Sequence, residues 1–337
     1  MKNVLIKFLY QIIDCFPESC RVKIKIILNV LFHDWRFFPV MVPGWDYFST
    51  ITALQKKSLE DHFDGVDDCS LAILKRFIAV QTLYYVPQVN YHCCFYSMNG
   101  LYTKSEYRAC KRLYRKEMSE KRKFGFKRKS DYLSSLIYHH GLRDLSEAQK
   151  ERLRGTAFID AGAFIGDSSL GMLQYNPEKI YAFDPSMKNC DEYRMMMKKN
   201  HIPDERYALI AAGLGAENKK ITNFNDTGEA NTSVIDNEGT ETIDIVSLDS
   251  FWSDKNEPIG FIKADVEGAG FELIQGAEQV IRKYLPVLSI AVYHNEIEFF
   301  GVYELIKSWN LPYRIEFKKL SYCWENTELV LIATPEC

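Results

Sequence analysis

FIDAGAFIGDSS, residues 158–169, decides the fold. The stretch starts apolar, reaches a carboxylate at Asp160, breaks at Gly162 and Gly166, and passes into a helix-like run over 167–174. A strand that ends in a glycine-containing turn and feeds a helix is the opening of a βαβ unit. Glycines in such a turn let the backbone approach a ligand with no Cβ in the way, and the helix behind turns its free N–H groups toward that ligand. Here the glycines are spaced GxxxG rather than GxGxxG, and an acid stands just before them. Asp160 repels a pyrophosphate and attracts a ligand that carries an ammonium and a sulfonium. The turn therefore favours S-adenosylmethionine over a dinucleotide.

The text on either side fits that start. KIYAF (179–183) reads as the second strand, followed by a helix over 187–200. RYALIAAGL (206–214) reads as the third strand, ETIDIVSL (241–248) as a strand beside an irregular insertion, and GFIKAD (260–265) as a strand followed by helix to about 282. PVLSIAVY (286–293) comes next with a helix to about 308, and PYRIEF (312–317) and ELVLIATP (328–335) close as a hairpin. Strands alternating with helices predict an α/β fold with a Rossmann-like, doubly wound parallel sheet over residues 151–337. Residues 1–150 read as mainly α-helical. Ser70–Val86 is apolar nearly all round, as a buried helix is, and Pro87 ends it. This part is expected to form a cap or docking region that chooses the acceptor.

Composition narrows the class. The 337 residues carry 42 Lys and Arg against 45 Asp and Glu, a formal charge of −3, with 47% apolar and 26% charged residues. That balance excludes a disordered chain, a collagen-like chain and a disulfide miniprotein. The charge is unevenly spread. Residues 101–130 hold twelve Lys and Arg against three acids, so the segment is +9 and the rest of the chain −12. Such a run is ordinarily a solvated helix face, and the functional alternative is contact with an anionic membrane or a phosphorylated substrate. No nucleic-acid motif accompanies it, so nucleic acid is not an expected partner. Nine cysteines lie scattered with no CxxC pair, which reads as reduced thiols in a cytoplasmic protein. Cys69, His92, Cys93, Cys94 and Cys110 lack any standard zinc spacing. No run approaches the ~18 apolar residues of a membrane span. The amphipathic pieces within residues 1–35 pack on the protein's own core or, in a second reading, rest on the inner face of a membrane.

Two further features place a site. Asp184, in YAFDPS (181–186), ends the second strand, where an acid accepts ribose hydroxyls. In FIKADVEGAGFELIQGA (261–277), Lys263, Asp265 and Glu267 alternate at the end of a strand, so period two puts them on one side. Ligands of open sheets bind beyond the carboxyl ends of strands, so these groups converge where cofactor meets acceptor. His294, in AVYHNE (291–296), leaves the next strand at the same edge. The plain alternatives are loop acids that cap helices and a salt-bridged strand end.

In this order, FIDAGAFIGDSS, YAFDPS, VSLDSF and FIKADVEGAGFELIQGA resemble the FkbM family of S-adenosylmethionine-dependent methyltransferases over about residues 155–335. YHHGL (138–142) is also similar to the lead-in of some bacterial members. The resemblance implies a class I methyltransferase fold with a seven-stranded sheet, and O-methylation of a hydroxyl on a sugar, glycan or related metabolite, as in polysaccharide biosynthesis. It implies that Asp160, Gly162, Ala163, Phe164 and Gly166 line the methionine part of the cofactor, that Asp184 holds the ribose where many relatives have Glu, and that Asn231, Thr232 and Ser233 touch the adenosine. Asp249 is expected to cap the short helix after it. Asp265 and His294 are the candidate catalytic bases, with Glu267 and Lys263 orienting groups around them. Asp265 and Glu267 suit a divalent metal, but the sequence shows no third ligand, so none is expected. Two other classes fit the same sheet: an NAD-dependent oxidoreductase, and a non-catalytic binding protein docked on polysaccharide or membrane machinery.

Overall fold

A computed structural model describes residues 50, 53–54, 56–84, 104–127, 132–226, 234–235, 240–321 and 327–336. The expectations for residues 1–35, for Asn231, Thr232 and Ser233, and for His92, Cys93 and Cys94 fall outside these residues. Among the described cysteines, Cys69 is a free, exposed thiol and Cys190 a free, buried one.

Eleven strands are described, β1 (Ala157–Ala161), β2 (Lys179–Phe183), β3 (Tyr207–Ile210), β4 (Gly213–Leu214), β5 (Lys219–Asn225), β6 (Val234–Ile235), β7 (Glu241–Val246), β8 (Ile259–Ala264), β9 (Val287–Ala291), β10 (Tyr313–Lys319) and β11 (Leu329–Pro335). Seven form one sheet in the order β10-β11-β9-β8-β1-β2-β3. Its strands run parallel from β3 to β9, and β11 is antiparallel to both neighbours. All five residues of β1 are buried, as a central parallel strand with both faces covered requires. The chain winds from β1 outward to β2 and β3, then returns to β8 on the other flank of β1. The order therefore reverses between β1 and β8, and the crevice beyond their carboxyl ends is where such folds bind ligands.

Two strands depart from expectation. RYALIAAGL is not one strand. The Ala212 N–H donates to Ile210 O at 2.9 Å, a three-residue turn that ends β3. Gly213–Leu214 then leaves the main sheet and pairs with β7. The run 241–246 likewise lies outside the main sheet, in a second sheet ordered β4-β7-β5-β6. Its two faces differ in burial, unlike the wholly buried β1, because it covers the site rather than crossing the core.

The main helices are α1 (Asp68–Tyr84), α2 (Lys104–Phe124), α3 (Glu147–Leu153), α4 (Asp167–Met172), α5 (Met187–Lys199), α6 (Gly270–Gln275), α7 (Glu278–Tyr284) and α8 (Val302–Ser308). The change of pattern near residue 150 marks where strands begin and not where a core ends. Leu59, Phe63, Leu74 and Phe77 share one buried cluster with residues of β8, β9 and β11. The Phe63 ring meets Phe299 at 5.3 Å and Phe317 at 5.1 Å, both edge-on. Ser70 Oγ accepts the Phe317 N–H at 2.8 Å, which ties α1 to β10. Burying each such ring is worth about 1.5–3 kcal/mol. Leu136 and Leu142 pack likewise with Phe158 and Ile180 on the other face of the sheet. On α2, Leu113 and Tyr114 pack against Leu133 and Ile137, while Arg112, Arg115 and Lys116 are exposed. No described helix is long and apolar enough to cross a membrane.

Candidate active site

Gly162 joins the tips of three strands. Its N–H donates to Phe183 O at 2.9 Å, and its own carbonyl accepts Lys263 Nζ at 2.6 Å. Its φ is +73°, and a Cβ there would collide with the Asp265 carbonyl oxygen. Glycine is required on both counts. The next turn residue, Ala163, is buried and donates its N–H to Phe183 O at 3.0 Å. Gly166, at φ +88°, packs against Tyr193 and Met197. Ala163 and Gly166 thus shape the turn from behind, while Gly162 and Phe164 face a cavity of about 250 Å³.

Asp160 does not face that cavity. Its side chain is 0% exposed, with Lys263 Nζ 3.2 Å from Oδ1. Oδ2 accepts Ser169 Oγ at 2.7 Å, and Ser169 Oγ in turn accepts Tyr193 O–H at 2.9 Å. Lys263, itself 3% exposed at the side chain, donates onward to the carbonyls of Ala161 and Gly162. The negative charge expected to hold an ammonium is therefore already matched by a buried lysine. Burial opposes the Lys263 charge, but Asp160 and Asp265 outweigh it and raise its pKa. The pair fixes β1 to β8 at the switch point.

Asp184 lines the cavity. Oδ1 accepts the Ser186 N–H at 2.9 Å and Asn189 Nδ2 at 3.3 Å, and Oδ2 accepts the Phe164 N–H at 2.9 Å. A carboxylate takes about four donors, so an acceptor position remains open on Oδ2. Burial is the largest influence on Asp184 and raises its carboxyl to about 6, against the pull of those donors. Asp167, also on the cavity wall, is raised by burial to about 6. The sequence reading missed Asp167, although it directly follows Gly166.

The third group forms where β8 ends. The alternation of Lys263, Asp265 and Glu267 does not continue as a strand, because β8 stops at Ala264. Lys263 turns inward to Asp160, whereas the loop at Glu267 (φ +52°) and Gly268 (φ +104°) bends toward His294. His294 Nε2 lies 3.4 Å from Asp265 Oδ1 and 3.6 Å from Glu267 Oε2. Asn295 Nδ2 holds the loop by donating to Gly268 O at 3.0 Å. His294 Nδ1 is 2.8 Å from Glu298 Oε2, and Glu298 is fully buried. Its other oxygen accepts the Gly270 N–H at 2.8 Å, where a side chain on residue 270 would crowd it. Burial opposes the His294 charge, but the Glu298 hydrogen bond and the surrounding carboxylates outweigh it and lift the ring to about 9. Glu267 is pushed up to about 7, chiefly by burial. Glu298 also escaped the sequence reading, though its helical spacing of four from His294 was visible. His140, in YHHGL, lies on the cavity wall with Nε2 2.9 Å from Ser168 Oγ.

Asp249 caps a helix, but not the one expected. Its carboxylate accepts the N–H groups of Gln279 and Val280 at 3.0 and 2.9 Å, at the start of α7. Ser247 caps its own short helix instead.

A seven-stranded sheet with one antiparallel strand, and a ligand crevice at its switch point, make this a class I methyltransferase fold. The sequence profile of the methyltransferase FkbM domain matches residues 160–317, and that stretch belongs to this domain family. A solved methyltransferase FkbM from Methylobacillus flagellatus KT is similar at a TM-score of 0.54 and 17% identity, covering 85% of this chain and 59% of that one. The chain thus spans 59% of that relative's length. Looser likenesses are an rRNA methylase from Streptococcus thermophilus (TM-score 0.37, 17% identity, 56% of this chain and 92% of that one) and an O-methyltransferase from Bacillus cereus in complex with SAH (TM-score 0.36, 10% identity, 63% and 93%). No curated protein matches the chain.

Proposed function

We propose that the chain is an S-adenosylmethionine-dependent O-methyltransferase acting on a hydroxyl of a sugar, glycan or related metabolite. The observation that carries this reading is one cavity bordered both by Asp184, with an open acceptor position, and by Asp265 and Glu267 beside His294. Asp184 takes a ribose hydroxyl of the cofactor through Oδ2. Phe164 and Gly162 line the same cavity. The cofactor supplies a methyl group already activated by its sulfonium, and the protein supplies alignment. The acceptor oxygen attacks the methyl carbon, the C–S bonding pair goes to sulfur, and the hydroxyl proton passes to the Asp265 carboxylate, beside which His294 stands. A base so placed contributes about 10²–10⁴ in rate. The FkbM domain match supports methyl transfer, and the Asp265 and Glu267 carboxylates on an otherwise largely apolar cavity wall offer hydrogen-bond acceptors to a hydroxylated acceptor.

The test is mass spectrometry of glycan extracts incubated with the cofactor and the protein. A gain of one methyl in place of hydrogen is expected with wild type. It should be lost in Asp265→Asn, which keeps cofactor binding. An unchanged rate in that variant removes Asp265 from the reaction.

A further inference from the structure

We infer that Asp265, Glu267 and His294 bind one divalent cation of the Mg²⁺/Mn²⁺ class. One ligand atom from each residue lies within 4.8 Å of the other two. Two acids near each other do not make a site, and the decisive group is the imidazole. The His294 side chain is 5% exposed, yet its Nε2 makes no hydrogen bond. Its other nitrogen is engaged by Glu298, which the Gly270 N–H holds in place. A carboxylate on Nδ1 fixes the ring and points Nε2 forward, as behind metal-binding histidines. Here Nε2 faces Asp265 Oδ1 and Glu267 Oε2, and an ion bound between them displaces the Nε2 proton and takes its lone pair.

Electron-rich atoms converging in this way need a cation between them. A proton on Nε2 is one answer, but charge-assisted N–H···O contacts run at about 2.7–2.9 Å. The observed 3.4 and 3.6 Å are longer than that. Two ligands each about 2.1 Å from one shared ion stand roughly 3–3.5 Å apart, so the first distance falls in that range and the second lies about 0.1 Å beyond it. The two carboxylates suit Mg²⁺ and Mn²⁺, no thiolate is present among the three ligands, and the imidazole tilts the set from Mg²⁺ toward Mn²⁺. Tyr293 O–H, 3.3 Å from Asp265 Oδ1, helps hold that ligand, and Glu328 adds negative charge nearby. Asp265 and Glu267 border the cavity, so coordination positions not taken by protein face it.

The ion's role in catalysis rests on the methyltransferase reading, whereas its binding does not. Bound there, it holds the acceptor hydroxyl and makes it more acidic. Asp265 and His294 then ligate the ion rather than take the proton, which leaves to solvent through the open side of the cavity.

The experiment titrates Mn²⁺ into the chelator-treated 337-residue chain without cofactor, read by calorimetry and by the electron paramagnetic resonance signal of free Mn²⁺. One ion per chain is expected, displaced by excess Mg²⁺. Glu267→Gln, which changes a partly exposed side chain, should weaken binding at least tenfold. Glu298→Gln, one shell out, should weaken it about 10–100-fold. No stoichiometric Mn²⁺ binding by wild type, or equal binding by wild type and Glu267→Gln, overturns the inference. A parallel titration with S-adenosylhomocysteine separates the claims. Cofactor-product binding without Mn²⁺ binding sinks the metal site alone, and the converse sinks the methyltransferase reading alone.

Discussion

Replacing Asp160 by Asn tests whether this carboxylate serves the fold or the ligand. Asp160 and Lys263 are 0% and 3% exposed at the side chain, and their charged atoms are 3.2 Å apart. Removing one partner of a buried pair typically costs about 3–5 kcal/mol, since the other charge stays behind without its counter-ion. Lys263 would keep two carbonyl acceptors, those of Ala161 and Gly162. Asn would also keep an oxygen for Ser169. The loss should therefore fall at the low end, about 3 kcal/mol. With an m-value of about 3 kcal/mol/M, the urea midpoint drops by about 1 M. The double variant Asp160→Asn with Lys263→Met removes the stranded charge, so it should recover much of the loss and give a coupling energy of at least 1 kcal/mol in a double-mutant cycle. The assay is urea unfolding followed by tryptophan fluorescence, with S-adenosylhomocysteine affinity measured on the folded variants. A midpoint unchanged by Asp160→Asn, together with a large loss of affinity, would refute the structural role and return Asp160 to the ligand.

Gly162→Ala should destabilise the protein by at least about 1–3 kcal/mol, the range for a residue held in a disfavoured backbone region, because its Cβ also meets the Asp265 carbonyl; an unchanged thermal midpoint would contradict this. Asp184, raised from 3.8 to about 6, makes the folded protein bind more protons than the unfolded chain between those values. Its contribution to stability is therefore full below about pH 4 and is lost as pH rises through 6. Relative to wild type, Asp184→Asn should gain up to about 3 kcal/mol between pH 4 and 7; urea midpoints whose difference stays flat over that range would refute the raised pKa.

Much of the fold was legible because the strands of the main sheet are short apolar runs with clear breaks. β1, β2 and β9 came within a few residues of their observed ends, since each is buried on both faces or ends at a glycine, proline or acid. The second sheet was not legible. RYALIAAGL carries no proline or charge where it breaks, and the turn at Ala211 is fixed by the tertiary path toward β7. At the site, local pattern located Asp184, Asp265, Glu267 and His294, but not their pairings. Alternation placed Lys263 with Asp265 and Glu267, whereas the end of β8 and the positive φ at Glu267 sent them to different partners. The match of Asp160 to Lys263 spans 103 positions along the chain, and no local pattern encodes it.

The central claim is that the cavity beside Asp184 binds S-adenosylmethionine. Calorimetric titration of the cofactor into wild type and into Asp184→Ala tests it most directly. The account predicts one cofactor per chain for wild type. It predicts affinity about 10–150-fold weaker in the variant, the loss of a hydrogen bond to a charged group worth about 1.5–3 kcal/mol. Absence of binding by folded wild type, or equal affinity in the two proteins, would contradict it.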